Sequence, residues 1–241
     1  MPHAGEGQRL RLHSPRQHAL TTVGPRAGTM LSATETVSVG IVLFDDVEVL
    51  DFCGPFEVFS VTRIGPGEPP QRAGPYRVHL VAETDREVLT VGGMRVLPQG
   101  TFEACPVLDV LVVPGGWGTR AQLGNETMLR FLREQSARVS LITSVCTGSL
   151  LLAKAGLLEG RRATSHWQVL DLMAEMFPGV AVERSLHVVE DGEIITSAGI
   201  SAGIDMALRV VARQLGEQVA RETARQMEYP YPESDQRRIS F

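Results

Sequence analysis

The sequence predicts a doubly wound α/β domain, a mostly parallel β-sheet with helices on both faces. Three observations lead there. The runs VSVGIVLF, DVLVVP and LITSV are apolar, β-branched and free of polar alternation, the composition of strands buried on both sides. Segments with helical spacing of apolar residues alternate with these runs, as in a sheet wound by strand–helix units. Glycine and proline clusters mark the junctions.

The elements follow in order from Val37. VSVGIVLF is the first strand. GPFEVFSVT reads as a helix with Pro55 in its first turn, where a missing N–H costs nothing. YRVHLVAE is a second strand, and EVLTVGGMRVLPQGTF, alternating about Gly92-Gly93, reads as a hairpin. DVLVVPGG is a buried strand ending in a Pro-Gly-Gly turn. ETMLRFLREQSARV is a helix with Met128, Leu129, Leu132 and Val139 on one side. LITSVCTGSLLLAKAGLL runs from strand into helix. RRATSHW is a short strand or loop, and QVLDLMAEMF is a helix closed by Pro178-Gly179. VAVERSLHVVEDGEIITSAG gives two strands about Asp191-Gly192, a strong hairpin signal. SAGIDMALRVVARQLGEQVARETARQM is a helix pair broken near Gly216.

The domain therefore spans residues 36–227. Residues 1–35 are arginine-containing and poor in large apolar side chains. They are expected to be a disordered extension or a mis-called start, with Met30 as the alternative first residue. Residues 228–241 are Pro-rich and read as an irregular tail, with Arg237-Arg238 solvated.

Composition narrows the function classes. The 241 residues are 43% apolar with a net charge of −5, enough for a real core and without the basic footprint of a nucleic-acid binder. No apolar run is long enough to span a bilayer. Three widely spaced cysteines, Cys53, Cys105 and Cys146, fit neither a disulfide framework nor a zinc site, and a reducing, cytoplasmic setting is expected. No His-x-His or His-x-x-x-His spacing suggests a metal, so none is expected.

In a doubly wound sheet the site lies beyond the carboxyl ends of the strands. Three segments converge there: Asp51 after the first strand, Gly115-Gly116 after DVLVVP, and Cys146 after LITSV. A strand–Cys–small–Gly–helix junction is the pattern of a nucleophile elbow. The N-terminus of the following helix is expected to lower the thiol pKa. The competing reading is a cysteine that merely fills space. Gly115 and Gly116 allow backbone N–H groups to serve as an oxyanion hole, or they form a plain turn. Asp51 is a capping aspartate or an acid/base whose pKa is raised by apolar neighbours. Thr147 cannot act as a base. His166 either returns to the site or packs beside Trp167, whereas His79 and His187 lie in strands and read as structural. Phe52, Trp117 and Trp167 are candidates for lining a substrate pocket.

VGIVLFDDVEVLDFCGPFEVFS, DVLVVPGGWG, ITSVCTGSLLLAKAGLLEGRRATSHW and GEIITSAGISAGIDMALRVV together resemble the DJ-1/PfpI superfamily, the class I glutamine amidotransferase-like fold, from about Val37 to Met227. SVCTGSLLLAKAGLLEGRRATSHW resembles the branch shared by isonitrile hydratases and the sensing domains of AraC-type regulators. The resemblance implies a flavodoxin-like sandwich, a homodimer, and no metal or organic cofactor. It implies a small-molecule substrate, with Cys146, Thr147 and Asp51 at the positions of the hydratase's functional residues. His166 falls where DJ-1-like proteins place a histidine near the cysteine. TSAGISAGID occupies the region of the late histidine and acid of glutaminases, which argues against glutamine hydrolysis. No DNA-binding part is expected after the core. The implied activity is hydration of an isonitrile to an N-substituted formamide. DJ-1-like chemistry on glyoxals and a non-catalytic ligand- or redox-sensing module are the alternatives.

Overall fold

The structure, a computed structural model, describes residues 36–65 and 74–240; the expectations for residues 1–35 lie outside the described residues. In chain order the elements are β1 (Val37–Leu43), α1 (Val49–Val61), β2 (Tyr76–Ala82), β3 (Val88–Leu89), β4 (Arg95–Val96), β5 (Gly100–Thr101), β6 (Val110–Val113), α2 (Thr119–Gln122), α3 (Glu126–Ser136), β7 (Leu141–Ser144), α4 (Gly148–Lys154), β8 (Arg162–Ala163), α5 (Leu170–Met176), β9 (Ala181–Val182), β10 (Val188–Asp191), β11 (Ile194–Ser197), α6 (Ala202–Leu215) and α7 (Glu217–Gln226).

Seven strands form one sheet in the order β10-β11-β7-β6-β1-β2-β5. Every neighbouring pair is parallel except the β10–β11 hairpin at one edge. Every residue of β6, β7 and β11 is buried, which requires cover on both faces. The helices supply it in two groups, α1 packing with α6 and α7, and α2 and α3 packing with α4. The mostly parallel, doubly covered α/β sheet is thus the fold that the buried-strand composition predicts. The chain winds from β1 outward to β2 in one direction and from β6 to β7 in the other. The β1–β6 boundary is therefore a switch point, where loops diverge and leave a crevice.

Several elements differ from expectation. α1 begins at Val49, so Pro55 lies inside it and Asp51 lies within its first turn. The start is pulled forward because the Glu48 N–H donates to the Gly115 carbonyl at 2.9 Å, and Val47 bridges to Gly116. The proline N–H that would pair with the Asp51 carbonyl is missing, a local weakness that the packing of α1 against α6 supports. The β3–β4 hairpin forms as predicted, but the last part of that segment leaves it as β5 and pairs with β2.

The segment after α7 is irregular but not a solvated tail. It folds back, bridging Leu186 to Gln236. The Arg237 guanidinium donates to the Thr164 hydroxyl at 2.8 Å and to the Ser165 carbonyl at 3.2 Å. Arg238 reaches Asp205 at 2.8 Å, a carboxylate only 1% exposed that also accepts from the Tyr229 hydroxyl at 2.9 Å. His187 lies against the same carboxylate, at 2.9 Å. A carboxylate taken out of water needs such partners. Arg238→Ala is expected to cost about 1–3 kcal/mol in urea unfolding, because it leaves that carboxylate short of a cation. Arg225→Ala, which removes only an exposed pair with Glu222, is expected to cost under about 0.5 kcal/mol.

Candidate active site

Cys146 follows β7 with φ at +56°, the left-handed region that a side chain with Cβ adopts only under constraint. The constraint is visible. The Cys146 N–H donates to the Ala198 carbonyl at 3.0 Å, and its own carbonyl accepts from the hydroxyls of Ser165 at 2.9 Å and Ser149 at 3.2 Å. Two residues on, the backbone of Gly148 passes so close to β6 that a Cβ there would lie 2.0 Å from the Val113 carbonyl oxygen. The turn is as sharp as the strand–Cys–small–Gly–helix pattern requires, and it raises the sulfur above the sheet edge.

Asp51 approaches from α1 and is fully buried. Its Oδ2 accepts the Gly115 N–H at 2.8 Å, and its Oδ1 has no partner at ordinary hydrogen-bond geometry. The Cys146 thiol and the Ile200 N–H act on this carboxyl group from looser positions and favour its charged form. Burial outweighs them, with a push from the Glu48 charge, and the Asp51 pKa rises to about 7.

The same burial acts on sulfur. The Cys146 thiol is pushed up, first by desolvation and then by the Asp51 charge, against the Thr147 and Ile200 N–H groups and the Thr147 hydroxyl. This overturns the expectation of a thiolate stabilised by the helix terminus. A helix N-terminus contributes about 0.3–1 kcal/mol near the surface, while full burial of a charge shifts a pKa by up to several units. Both shifts favour the protonated forms, so the sulfur keeps its proton through neutrality while Asp51 titrates in that range.

The two glycines are placed differently from the expected oxyanion hole. The Gly115 N–H is turned to Asp51, and the Gly116 N–H donates to Thr147 Oγ1 at 3.0 Å. The N–H groups that face sulfur belong to Thr147 and Ile200. Ile200, at the turn between β11 and α6, was not among the sequence candidates. It has φ at +54°, a costly conformation for a β-branched residue, and this turns its N–H toward both Cys146 and Asp51. The available signal was its position, just past a strand end in SAGIS on the same sheet edge as Cys146.

Thr147 is buried beside Cys146, and its hydroxyl meets the hydroxyl of Thr119 at 2.9 Å. His166 is occupied at the adjacent loop. Its Nδ1 accepts the Gln168 N–H at 3.3 Å, which leaves Nε2 as the protonated nitrogen of the neutral ring. Burial and Arg237 hold its pKa low. The ring packs on Gly199, where a Cβ would lie 2.1 Å from its Cδ2, so His166 braces the turn that carries Ile200. Of the apolar candidates, Phe52 is in the core, while Trp117 and Trp167 are exposed. Among the described residues no group of three or more His, Cys, Asp or Glu side chains could hold a metal. A small cavity lined by Leu43, Asp45, Arg86 and Met128 lies elsewhere and shares none of these side chains.

The family model for the DJ-1/PfpI family matches residues 37–213. The chain belongs to the DJ-1/PfpI family. It is 40% identical over 166 residues to isonitrile hydratase of Pseudomonas putida, covering 69% of this chain and 67% of that protein. It is 29% identical over 164 residues to the HTH-type transcriptional regulator GbdR of Pseudomonas aeruginosa, which spans 67% of this chain and only 42% of the regulator. A solved THiJ/PfpI family protein from Pseudomonas syringae superposes with a TM-score of 0.72 at 31% identity, over 92% of this chain and 85% of that one. Drosophila melanogaster DJ-1beta shares the fold, with a TM-score of 0.69 at 23% identity over 81% of this chain and all of that one. The central parallel sheet flanked by helices is therefore the flavodoxin-like fold of the DJ-1/PfpI family.

Two outcomes follow from this geometry. Asp51 binds its proton more tightly in the folded chain, at about 7, than at its ordinary 3.8, so folding loses stability as pH rises between those values. From pH 4 to pH 8 the native protein is expected to lose roughly 4 kcal/mol relative to Asp51→Asn, levelling off above that window, as measured by denaturant unfolding at each pH. Gly148→Ala is expected to cost about 3 kcal/mol and to slow alkylation of Cys146, because its Cβ forces the elbow off β6.

Proposed function

We propose that the protein adds water to an isonitrile, R–N≡C, and releases an N-substituted formamide, with Cys146 as nucleophile and Asp51 as acid/base. The observation that carries the reading is the buried Cys146–Asp51 pair, in which burial raises both groups and brings the Asp51 pKa to about 7. The 40% identity to isonitrile hydratase supports the same reading.

The terminal carbon of an isonitrile must receive a nucleophile and a proton at the same atom. Cys146 gives its proton to Asp51 as sulfur bonds to that carbon, and Asp51 returns the proton to the carbon. The product is a thioimidate, R–N=CH–S, in which the whole isonitrile has added across the S–H bond. Asp51, ionised again, takes a proton from water as the water oxygen bonds to the carbon, and passes it to nitrogen. The C–S bond then breaks, the hydroxyl proton goes to sulfur by way of Asp51, and R–NH–CHO leaves. The Thr147 hydroxyl holds the water or the nitrogen, and the Thr147 and Ile200 N–H groups steady charge on sulfur as it departs.

Incubation with cyclohexyl isocyanide is expected to give N-cyclohexylformamide. Cys146→Ala is expected to abolish turnover, and Asp51→Asn to lower kcat about 10²- to 10⁴-fold; full activity in either variant ends the mechanism. Below the Asp51 pKa the pair carries two protons and has no base. The ratio kcat/KM is therefore expected to rise with pH through about 7. The GbdR match favours a second reading, a non-catalytic ligand-binding module. Stoichiometric labelling of Cys146 by the isonitrile with no formamide released would support that module over the hydratase.

A further inference from the structure

Arg237, which the sequence reads as a solvated residue, lies against the loop between β8 and α5. Its guanidinium donates to the Thr164 hydroxyl at 2.8 Å, to the Ser165 carbonyl at 3.2 Å and to the Arg184 carbonyl at 2.9 Å. One rigid, planar donor group therefore ties together two stretches of chain. The Arg237 N–H adds a bond to the Ser185 carbonyl at 2.7 Å. The loop so held is the one that reaches the elbow. Ser165 is fully buried, and its hydroxyl donates to the Cys146 carbonyl at 2.9 Å.

Both backbone ends of Cys146 are anchored. Its N–H is bonded to the Ala198 carbonyl at 3.0 Å, and its carbonyl to Ser165 and, at 3.2 Å, to Ser149. With both ends fixed, the direction of the Cα–Cβ bond and the place of the sulfur are fixed too. The two hydroxyls are not equivalent. Ser149 lies three residues on, in α4, and moves with the elbow, whereas Ser165 belongs to a separate stretch and ties the elbow to the rest of the fold. The left-handed backbone at Cys146, with φ at +56°, is disfavoured by about 5- to 150-fold. One hydrogen bond is worth about 2- to 12-fold, a comparable scale, so losing one from the clamp lets the elbow relax more often. We propose that Arg237 is a positioning residue: by fixing the loop of Thr164 and Ser165, it lets the Ser165 hydroxyl hold Cys146 in its strained conformation. The role at the elbow stands on these hydrogen bonds; the role in turnover rests on the isonitrile reading.

Two readouts separate the claims: hydrogen exchange of the Cys146 N–H, compared with that of the Leu111 N–H in β6, and kcat and KM on cyclohexyl isocyanide. Arg237→Ala and Ser165→Ala are each expected to speed exchange at Cys146 relative to Leu111 by about 2- to 12-fold. Each is expected to lower kcat over the same range with KM little changed. Arg237→Lys keeps the charge but not the planar fork, and it is expected to show the same change. In a Ser165→Ala background, Arg237→Ala is expected to add nothing further. Arg238→Ala removes the neighbouring cation and costs stability, but the segment keeps the bond from the His187 N–H to the Asp235 carbonyl at 2.6 Å and that from the Arg237 N–H to Ser185. It is expected to leave the exchange ratio and kcat native. A native exchange ratio in the Arg237 variants or in Ser165→Ala, equal acceleration at Cys146 and Leu111, a full further loss in the double variant, or the same change in Arg238→Ala would each overturn the proposal. Absence of turnover in the native protein would sink the hydratase reading, while the exchange ratios would still decide the role of Arg237.

Discussion

A thiol and a carboxyl group held together out of water carry one proton comfortably and none only at great cost. The rest of the structure depends on this constraint between Cys146 and Asp51. Desolvation is the first cause of the raised pKa of both groups, and each negative charge would oppose the other. Four backbone segments hold the pair in place: the first turn of α1, the glycine loop after β6, the elbow after β7 and the turn after β11. All four lie at the carboxyl edge of the same parallel sheet, near the point where its winding changes direction.

The arrangement is maintained against local preference. Cys146 and Ile200 both adopt left-handed backbone, and α1 contains a proline four residues beyond Asp51. Each is unfavourable alone. Each is held by packing that leaves little alternative. The Cys146 carbonyl is clamped by Ser149 and Ser165, His166 packs on Gly199 beside Ile200, and α6 lies so close to α1 that a Cβ on Gly54 would meet the Ile204 side chain at 3.0 Å. The C-terminal segment joins this framework, since Arg237 grips Thr164 and Ser165, and Ser165 grips the elbow.

What the sequence makes legible follows from how local each cause is. β1, β6 and β7 can be read because burial on both faces writes a continuous β-branched run into the chain itself. The elbow can be read because a sharp strand-to-helix turn demands small residues within two positions of Cys146. Asp51 is legible as a residue but not as part of α1, because the helix start is set by a contact between Glu48 and Gly115, far apart in sequence. The glycine pair shows that backbones approach closely there, but not that their N–H groups are turned to Asp51 and Thr147. Ile200 runs against β-branched preference and is invisible to propensity. Arg237 and Arg238 look like a solvated charge pair because their partners, Thr164, Ser165 and Asp205, are remote in sequence.

A buried thiol also suits the proposed substrate better than an exposed thiolate. A thiolate open to solvent is nucleophilic toward many partners and is readily oxidised. An isonitrile carbon is uncharged and needs sulfur and hydrogen delivered to one atom. A pair that keeps its proton on sulfur until attack begins, and whose carboxylate stands ready near neutrality, supplies both from groups already held at the site. The fold alone does not select this chemistry, since one fold carries many functions. In this reading the selection lies in the placement of Asp51 on α1, where one oxygen is fixed by Gly115 and the other is left without a firm partner.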